Sequence, residues 1–318
     1  NLVAQIRKDC NYSYIEDIKT EGVTEWAFNH GFTVNELKWI QPGYAPADNI
    51  DPLSNGANGT VKKVLYDGYN GRIIIAGEFD SLDLLPCLNI GQYKDNQLTC
   101  IGNGITGIIN EIRYYQNKIY AFGALESGGI TYPLALFDGV NWDYFEIPSR
   151  ENAIASTGLI DGSGQYPIEI AISHSSIPNK QEIWRFSNLA VWEKKIEVNG
   201  LVAAMTLIGG GSVFAGHFDE VFCFDEFGAI DSTFTTNNVV IRNNYYDQWS
   251  GINQLEISDT VKTIINTYSG IYFGGTCSFT DGEVCITRLL NDILQPIVLR
   301  SNLDNTYPVS INSLSLDY

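Results

Sequence analysis

The 318 residues carry 37 Asp and Glu against 19 Lys and Arg, a net charge of −18, which excludes a nucleic-acid binder built on an exposed basic surface. Apolar residues at 44% supply a packed core and exclude disorder, and no apolar run reaches the ~18 residues of a helical membrane span. Thirty glycines, eighteen tyrosines and a single methionine favour strands and turns over helices.

In chain order, the sequence opens at Asn1 without a methionine, the mark of a removed leader or of a segment of a longer product. Val23–Phe28 and Phe32–Ile40 alternate like strands, and Gln41–Asn58, rich in Pro, Gly, Asp and Asn, reads as a linker. Five related stretches follow. Four run from an alternating strand through a polar or glycine turn into a second strand that ends on glycine: Val61–Gly77, Ile109–Gly123, Leu201–Gly216 and Val261–Gly275. The fifth, Ala153–Ser173, keeps the Asp161-Gly162-Ser163-Gly164 turn and lacks the closing glycine. The closing residues Gly77, Gly123, Gly216 and Gly275 are expected to be structural, where strands converge near an axis and a side chain would collide.

A third strand follows each glycine, with Phe79, Leu125, Phe218 or Cys277 two residues on. Cys87 and Cys285 stand ten residues past their glycines, with Cys223 and Ala135 in the matching strands of other units. They read as reduced packing residues. Trp142–Ile147 and Val191–Ile196 mark fourth strands, and the pairs Lys62-Lys63 and Lys194-Lys195 read as solvated strand ends. Asn237–Ser258 reads as a projecting loop.

Stretches starting near 61, 109, 153, 201 and 261 have the spacing of four-stranded propeller blades. Val309–Tyr318 reads as the first strand of a further blade, completed by the N-terminal strands, so that no sheet edge is left exposed. The expected fold is therefore all-β: a single closed β-propeller over 1–318 with six blades, one closed by both termini; the alternative is five blades with an N-terminal extension. The expected divisions are 1–58, five units at 59–105, 106–150, 151–198, 199–258 and 259–308, and a closing strand at 309–318.

Phe224-Asp-Glu-Phe-Gly-Ala-Ile-Asp-Ser-Thr-Phe234 resembles the delta-60 repeat in its second Asp (Asp231) and its Phe (Phe234), with Phe227 and Ile230 departing from the usual Asp and Leu. Leu134–Trp142, where an Asp-Gly turn precedes a Trp, resembles the kelch-like pattern. Both resemblances imply a propeller and carry no catalytic residue across. Propellers similar to this one occur in viral and phage structural parts such as tail hubs and surface spikes, so the resemblance implies a viral structural protein.

No nucleophile elbow, zinc-protease helix, P-loop or dinucleotide fingerprint occurs, and Gly209-Gly-Gly-Ser212 reads as a hairpin turn. The six cysteines and the three histidines, His30, His174 and His217, show no zinc spacing, so no metal or cofactor is expected. Asn11-Tyr-Ser and Asn58-Gly-Thr fit the glycosylation sequon, a pattern that also arises by chance.

Candidate binding residues are Glu78, Asp80, Glu126 and Asp219, placed on one rim after the closing glycines, and Tyr245, Tyr246 and Trp249 as stacking platforms in the projecting loop. The expected function is a non-enzymatic structural or attachment propeller in a larger assembly, on a virion or at a cell surface, with protein or surface-glycan partners, some of them further copies of the chain. Neither nucleic acid nor membrane insertion is expected. The alternatives are a secreted glycan- or protein-binding module and a propeller glycoside hydrolase using two of the rim carboxylates.

Overall fold

The computed structural model describes residues 2–6, 56–95, 97–161, 168–174, 177, 179–187, 191–209, 211–225, 227–243, 248–252, 260–267, 270–278, 286–290, 293–297 and 308–316. Among these residues there is no helix. After β1 (Leu2–Ile6), the first sheet orders β2 (Thr60–Asp67), β3 (Arg72–Glu78), β6 (Ile90–Lys94) and β7 (Gln97–Cys100), with a ribbon of β4 (Ser81–Leu82) and β5 (Leu85–Pro86) between β3 and β6 in sequence. The second is β8 (Thr106–Tyr115), β9 (Lys118–Ser127), β10 (Ile130–Phe137) and β11 (Trp142–Phe145). The third begins with β12 (Ile154–Ile160), β13 (Ile168–Ser173), β14 (Gln181–Phe186) and β15 (Trp192–Val198). The fourth joins β16 (Leu201–Ile208) and β17 (Gly211–His217) to β20 (Val239–Asn243) and β21 (Gln248–Gly251); in sequence, β18 (Glu220–Phe224) and β19 (Ile230–Thr235) fall between. The fifth contains β22 (Val261–Thr267), β23 (Gly270–Ser278), β24 (Ile286–Leu290) and β25 (Ile293–Ile297).

Each sheet is the four-stranded antiparallel meander of a propeller blade. The chain is thus an all-β propeller with five blades, the count that the sequence left as the alternative to six. The reason lies in the fifth sheet. Strand β22 covers only Gly270–Gly275 of β23 and leaves the next three residues an open edge. The C-terminal strand β26 (Pro308–Leu316) takes that edge, with Thr276 opposite Ser310, and β1 pairs with β26, Leu2 opposite Leu316. Both termini therefore extend the fifth blade, where the sequence had them build a separate sixth one. The strands expected at 23–28 and 32–40 lie outside the described residues.

The chain divides into two compact units. In the unit formed by residues 53–202 and 218–235, the first and second blades pack through Ile74, Ile90, Ile109, Ile112 and Leu125, and the second and third through Phe122, Ile170, Ile172 and Trp184. In the unit that holds residues 203–217 and 236–318, Val213, Ala215, Val239, Val261 and Phe273 form the core. Successive apolar residues on both faces of β3 and β17 (Ile74–Ala76, Val213–Ala215) fit strands covered on both sides.

The first strand of four blades carries a β-bulge at one place: between Val61 and Lys63, Ile109 and Glu111, Ala155 and Thr157, and Val261 and Thr263. The closing glycines Gly77, Gly123 and Gly275 stand opposite Val61, Ile109 and Val261. A Cβ on Gly77 would meet the Thr60 carbonyl and lie 2.8 Å from the Lys62 nitrogen; one on Gly123 would meet the Ile108 carbonyl. The collision expected at these glycines is thus with the bulged neighbour strand of their own blade. The bulged residues also link successive blades: Lys62 Nζ donates to Asn110 Oδ1 (2.8 Å), Asn110 Nδ2 to the Ala155 carbonyl (2.7 Å) and Ser156 Oγ to the Val202 carbonyl (2.7 Å).

The β18–β19 hairpin adds to the outer edge of the third blade, with Ile196 opposite Cys223 and Val198 opposite Val221. Cys223 is therefore not in the third strand of the fourth blade, where the sequence placed it. That strand is β20, and with β21 it occupies much of the expected projecting loop Asn237–Ser258. Of the lysine pairs read as solvated strand ends, Lys62 is exposed near the start of β2, whereas Lys63 and Lys194 are held in ion pairs. Lys194 lies inside β15, bonded at 2.8 Å to both Glu182 and Glu197, and Lys63 pairs with Glu111 at 3.1 Å.

Candidate functional site

The rim of the first blade is assembled from asparagines. Asn89 adopts a left-handed φ of 61°, which asparagine tolerates better than most residues, in the loop before β6. Its backbone accepts from Gly77 N and donates to the Phe79 carbonyl. Its buried carboxamide accepts from Phe79 N (2.7 Å) and donates to the carbonyls of Ile105 (2.8 Å) and Gly107 (2.6 Å). One side chain thus locks the end of β3 to the start of the second blade. Asn58 plays the complementary part: its Oδ1 accepts from Asp80 N (2.8 Å) and Ser81 N (2.9 Å), holding the turn after Phe79.

These fixed turns enclose an open cleft of about 330 Å³ lined by Asn58, Glu78, Asp80, Leu88, Asn89 and Thr106, among others. Glu78 and Asp80 are exposed at its edge. Glu126, also exposed, is the cross-strand partner of Thr106, so the second blade contributes a third carboxylate beside the cleft. Next to them the β4–β5 ribbon turns through Asp83 (φ 47°) and Leu84 (φ 67°), two successive left-handed residues as in a type I′ turn. A leucine there costs on the order of 1 kcal/mol, and Leu84 is nonetheless 76% exposed. Leu85 and Leu88 are exposed as well. Carboxylates beside projecting leucines suit a cationic partner with apolar side chains. Among the described residues no group of three or more His, Cys, Asp or Glu is placed to hold a metal ion.

Of the sequence candidates, Glu78 and Asp80 line this cleft, and Glu126 stands opposite Thr106, another of its lining residues. Asp219 occupies the equivalent turn at the base of the β18–β19 hairpin, where Asn199 Oδ1 accepts from Asp219 N and Glu220 N (3.0 Å each) as Asn58 does in the first blade. Trp249 is a β21 residue whose ring packs 5.4 Å from that of Phe214. Tyr245 and Tyr246 lie outside the described residues. Gly216 N donates to the Asn238 carbonyl, so Asn238, left-handed at φ 64°, stands to Gly216 as Asn89 stands to Gly77. Sequence reasoning missed Asn58, Asn89 and the exposed leucines. The signal was the recurrence of Asn-Gly before a first strand, at Asn58-Gly59 and Asn199-Gly200, and of an Asn before the third, at Asn89 and Asn238.

Cys87 and Cys100 form a disulfide with Cα atoms 5.4 Å apart, tying the loop before Leu88 to the outer strand β7. This corrects the expectation of reduced packing residues for Cys87. The spacing rule compared Cys87 with cysteines of other units, whereas its partner lies across the sheet of its own blade. Cys223 is buried and takes no part in this disulfide.

The family model described as "Rax2 C-terminal beta propeller domain" matches residues 45–202, just under half of the chain, and supports a β-propeller. No match was found among curated proteins. Among solved structures, a chain of the "Crystal Structure of Mitotic Checkpoint Complex" is similar at 10% identity and a TM-score of 0.41, over 82% of this chain and 88% of that one.

Proposed function

We propose that this chain is a non-enzymatic propeller module that binds another protein through the rim of its first blade, as part of a larger assembly. The observation that carries the reading is the rim itself: exposed Glu78, Asp80 and Glu126 beside projecting Leu84 and Leu88, on turns held rigid by Asn58 and Asn89. Preorganised loops lower the cost of binding, and exposed carboxylates steer a basic partner. A protein segment that alternates Lys or Arg with Leu or Ile satisfies both features, whereas a neutral glycan uses neither the charge nor the leucines.

The test is fluorescence polarisation with labelled synthetic peptides of alternating Arg and Leu, beside Arg-Ser and Glu-Leu controls. Binding of the Arg-Leu peptide is expected to weaken at least about tenfold in the E78Q/D80N/E126Q variant, in L84S, and at raised salt. Equal binding by wild type and both variants would sink the reading. So would hydrolysis of a glycan panel that E78Q or D80N abolishes.

A further inference from the structure

The eighteen residues 218–235 carry five carboxylates and no lysine or arginine, and they form a hairpin that the four-stranded blade does not require. Its base is fixed. Lys194 Nζ lies 3.8 Å over the Phe224 ring and Lys180 Nζ 4.8 Å over Phe222, while both lysines bond Glu197. Its tip is fixed as well: Asp225 Oδ1 accepts from Phe227 N (3.0 Å) and Ala229 N (2.8 Å), Asp225 N donates to the Ala229 carbonyl, and Gly228 takes the left-handed φ of 79° that closes the turn. On this rigid turn Phe227 is 86% exposed and Ile230 is 58% exposed. The aromatic serves no core.

The geometry points to the β18–β19 tip as a docking knob: Phe227 inserts into an apolar pocket, rimmed by Lys or Arg, on a different protein. Two other occupants are disfavoured. Asp231 is the extra residue of a bulge in the edge strand β19, between the residues opposite Cys223 and Phe224, and a charged bulge obstructs addition of another strand. A second copy of the chain would set acid against acid, at −18 per chain. A protruding aromatic on a rigid support is the usual form of an interface anchor, and the carboxylates around it select a basic rim.

The proposal extends the protein-binding reading to a surface apart from the first-blade rim, so the two fail separately. The experiment uses the full chain with p-benzoylphenylalanine in place of Phe227, irradiated in its source cells, and the same substitution at Tyr69 as the control, a residue 84% exposed on another turn. The expected result is one protein adduct specific to position 227, with Lys or Arg flanking an apolar site in the cross-linked peptide. Excess wild-type chain should compete it away and Phe227→Ser chain should not. Asp231→Lys should lower the yield about tenfold, and E78Q/D80N/E126Q should leave it unchanged. An adduct shared with position 69, one to a second copy, one to lipid or glycan, one whose peptide lacks basic residues, or no adduct at all would overturn the proposal.

Discussion

At the scale of single residues, the most informative positions are the closing glycines, because their constraint comes from the neighbouring strand. A methyl group on Gly123 would press on the Ile108 carbonyl and come within 3.1 Å of the Ile109 Cα, which are backbone atoms of a bulge that cannot rotate away. Gly123→Ala, and likewise Gly77→Ala, should destabilise by about 2–3 kcal/mol, read as a lower urea midpoint with unchanged slope. Gly209→Ala, with nothing within 4 Å of the added methyl, should stay within about 0.5 kcal/mol of wild type. If all three behave alike, the bulge is not the constraint. The glycines were legible in the sequence and their cause was misread. The bulge also left a mark in the sequence: Val61-Lys-Lys-Val64, Ile109-Asn-Glu-Ile112 and Val261-Lys-Thr-Ile264 place apolar residues three apart where a regular strand places them two apart. Asn89 was harder to see, since a lone asparagine in a loop looks like turn chemistry until its three partners are known.

At the scale of elements, the first strand of every blade was legible, because alternation followed by a glycine turn is a local pattern. The hairpin was not. Nothing local distinguishes β18–β19 from the third and fourth strands of the fourth blade, and only non-local pairing with β15 reassigns them. The strand that receives the hairpin, β15, is itself tied to β14 by an ion cluster. Glu182, fully buried, accepts from Arg150 Nε (2.6 Å) and Trp184 Nε1 (2.8 Å) and bonds Lys194. Burial pushes its carboxyl up, but the bonds from Arg150, Lys194 and Trp184 outweigh this and hold the pKa at about 2, against 4.5 when free. The folded value is depressed, so the stabilisation is complete above pH 4.5 and is lost as the pH falls from 4.5 through about 2. Glu182→Gln leaves Arg150 and Lys194 without their shared anion and should cost about 3 kcal/mol at pH 7. The gap between variant and wild type should narrow steadily below pH 4.5, as followed by Trp fluorescence in urea titrations at several pH values. A gap independent of pH would mean that the carboxylate charge is not what holds the cluster.

At the scale of the whole molecule, the decisive feature is the meeting of the two ends of the chain in one blade. The sequence made that meeting predictable, since a propeller repeat with an incomplete unit at each end leaves two sheet edges to be covered. It did not reveal which blade receives them, because strand partnership over some three hundred residues leaves no local trace. Five residues of β1 stand opposite β26, and three residues of β26 stand opposite the overhang of β23. Deletion of residues 1–6 removes the neighbour of β26 and leaves that strand as a long open edge of the fifth blade. The expected consequence is a fall in Tm of roughly 5 °C, corresponding to a loss of about 1–2 kcal/mol in a chain of this size. Light scattering should also show aggregation that rises with protein concentration and falls on adding free Leu2–Ile6 peptide, since edge pairing is then satisfied in trans. Refolding should keep its rate: contacts between residues so far apart in sequence form late, so their loss speeds unfolding and spares folding. An unchanged Tm together with unchanged scattering would show that β1 does not protect that edge.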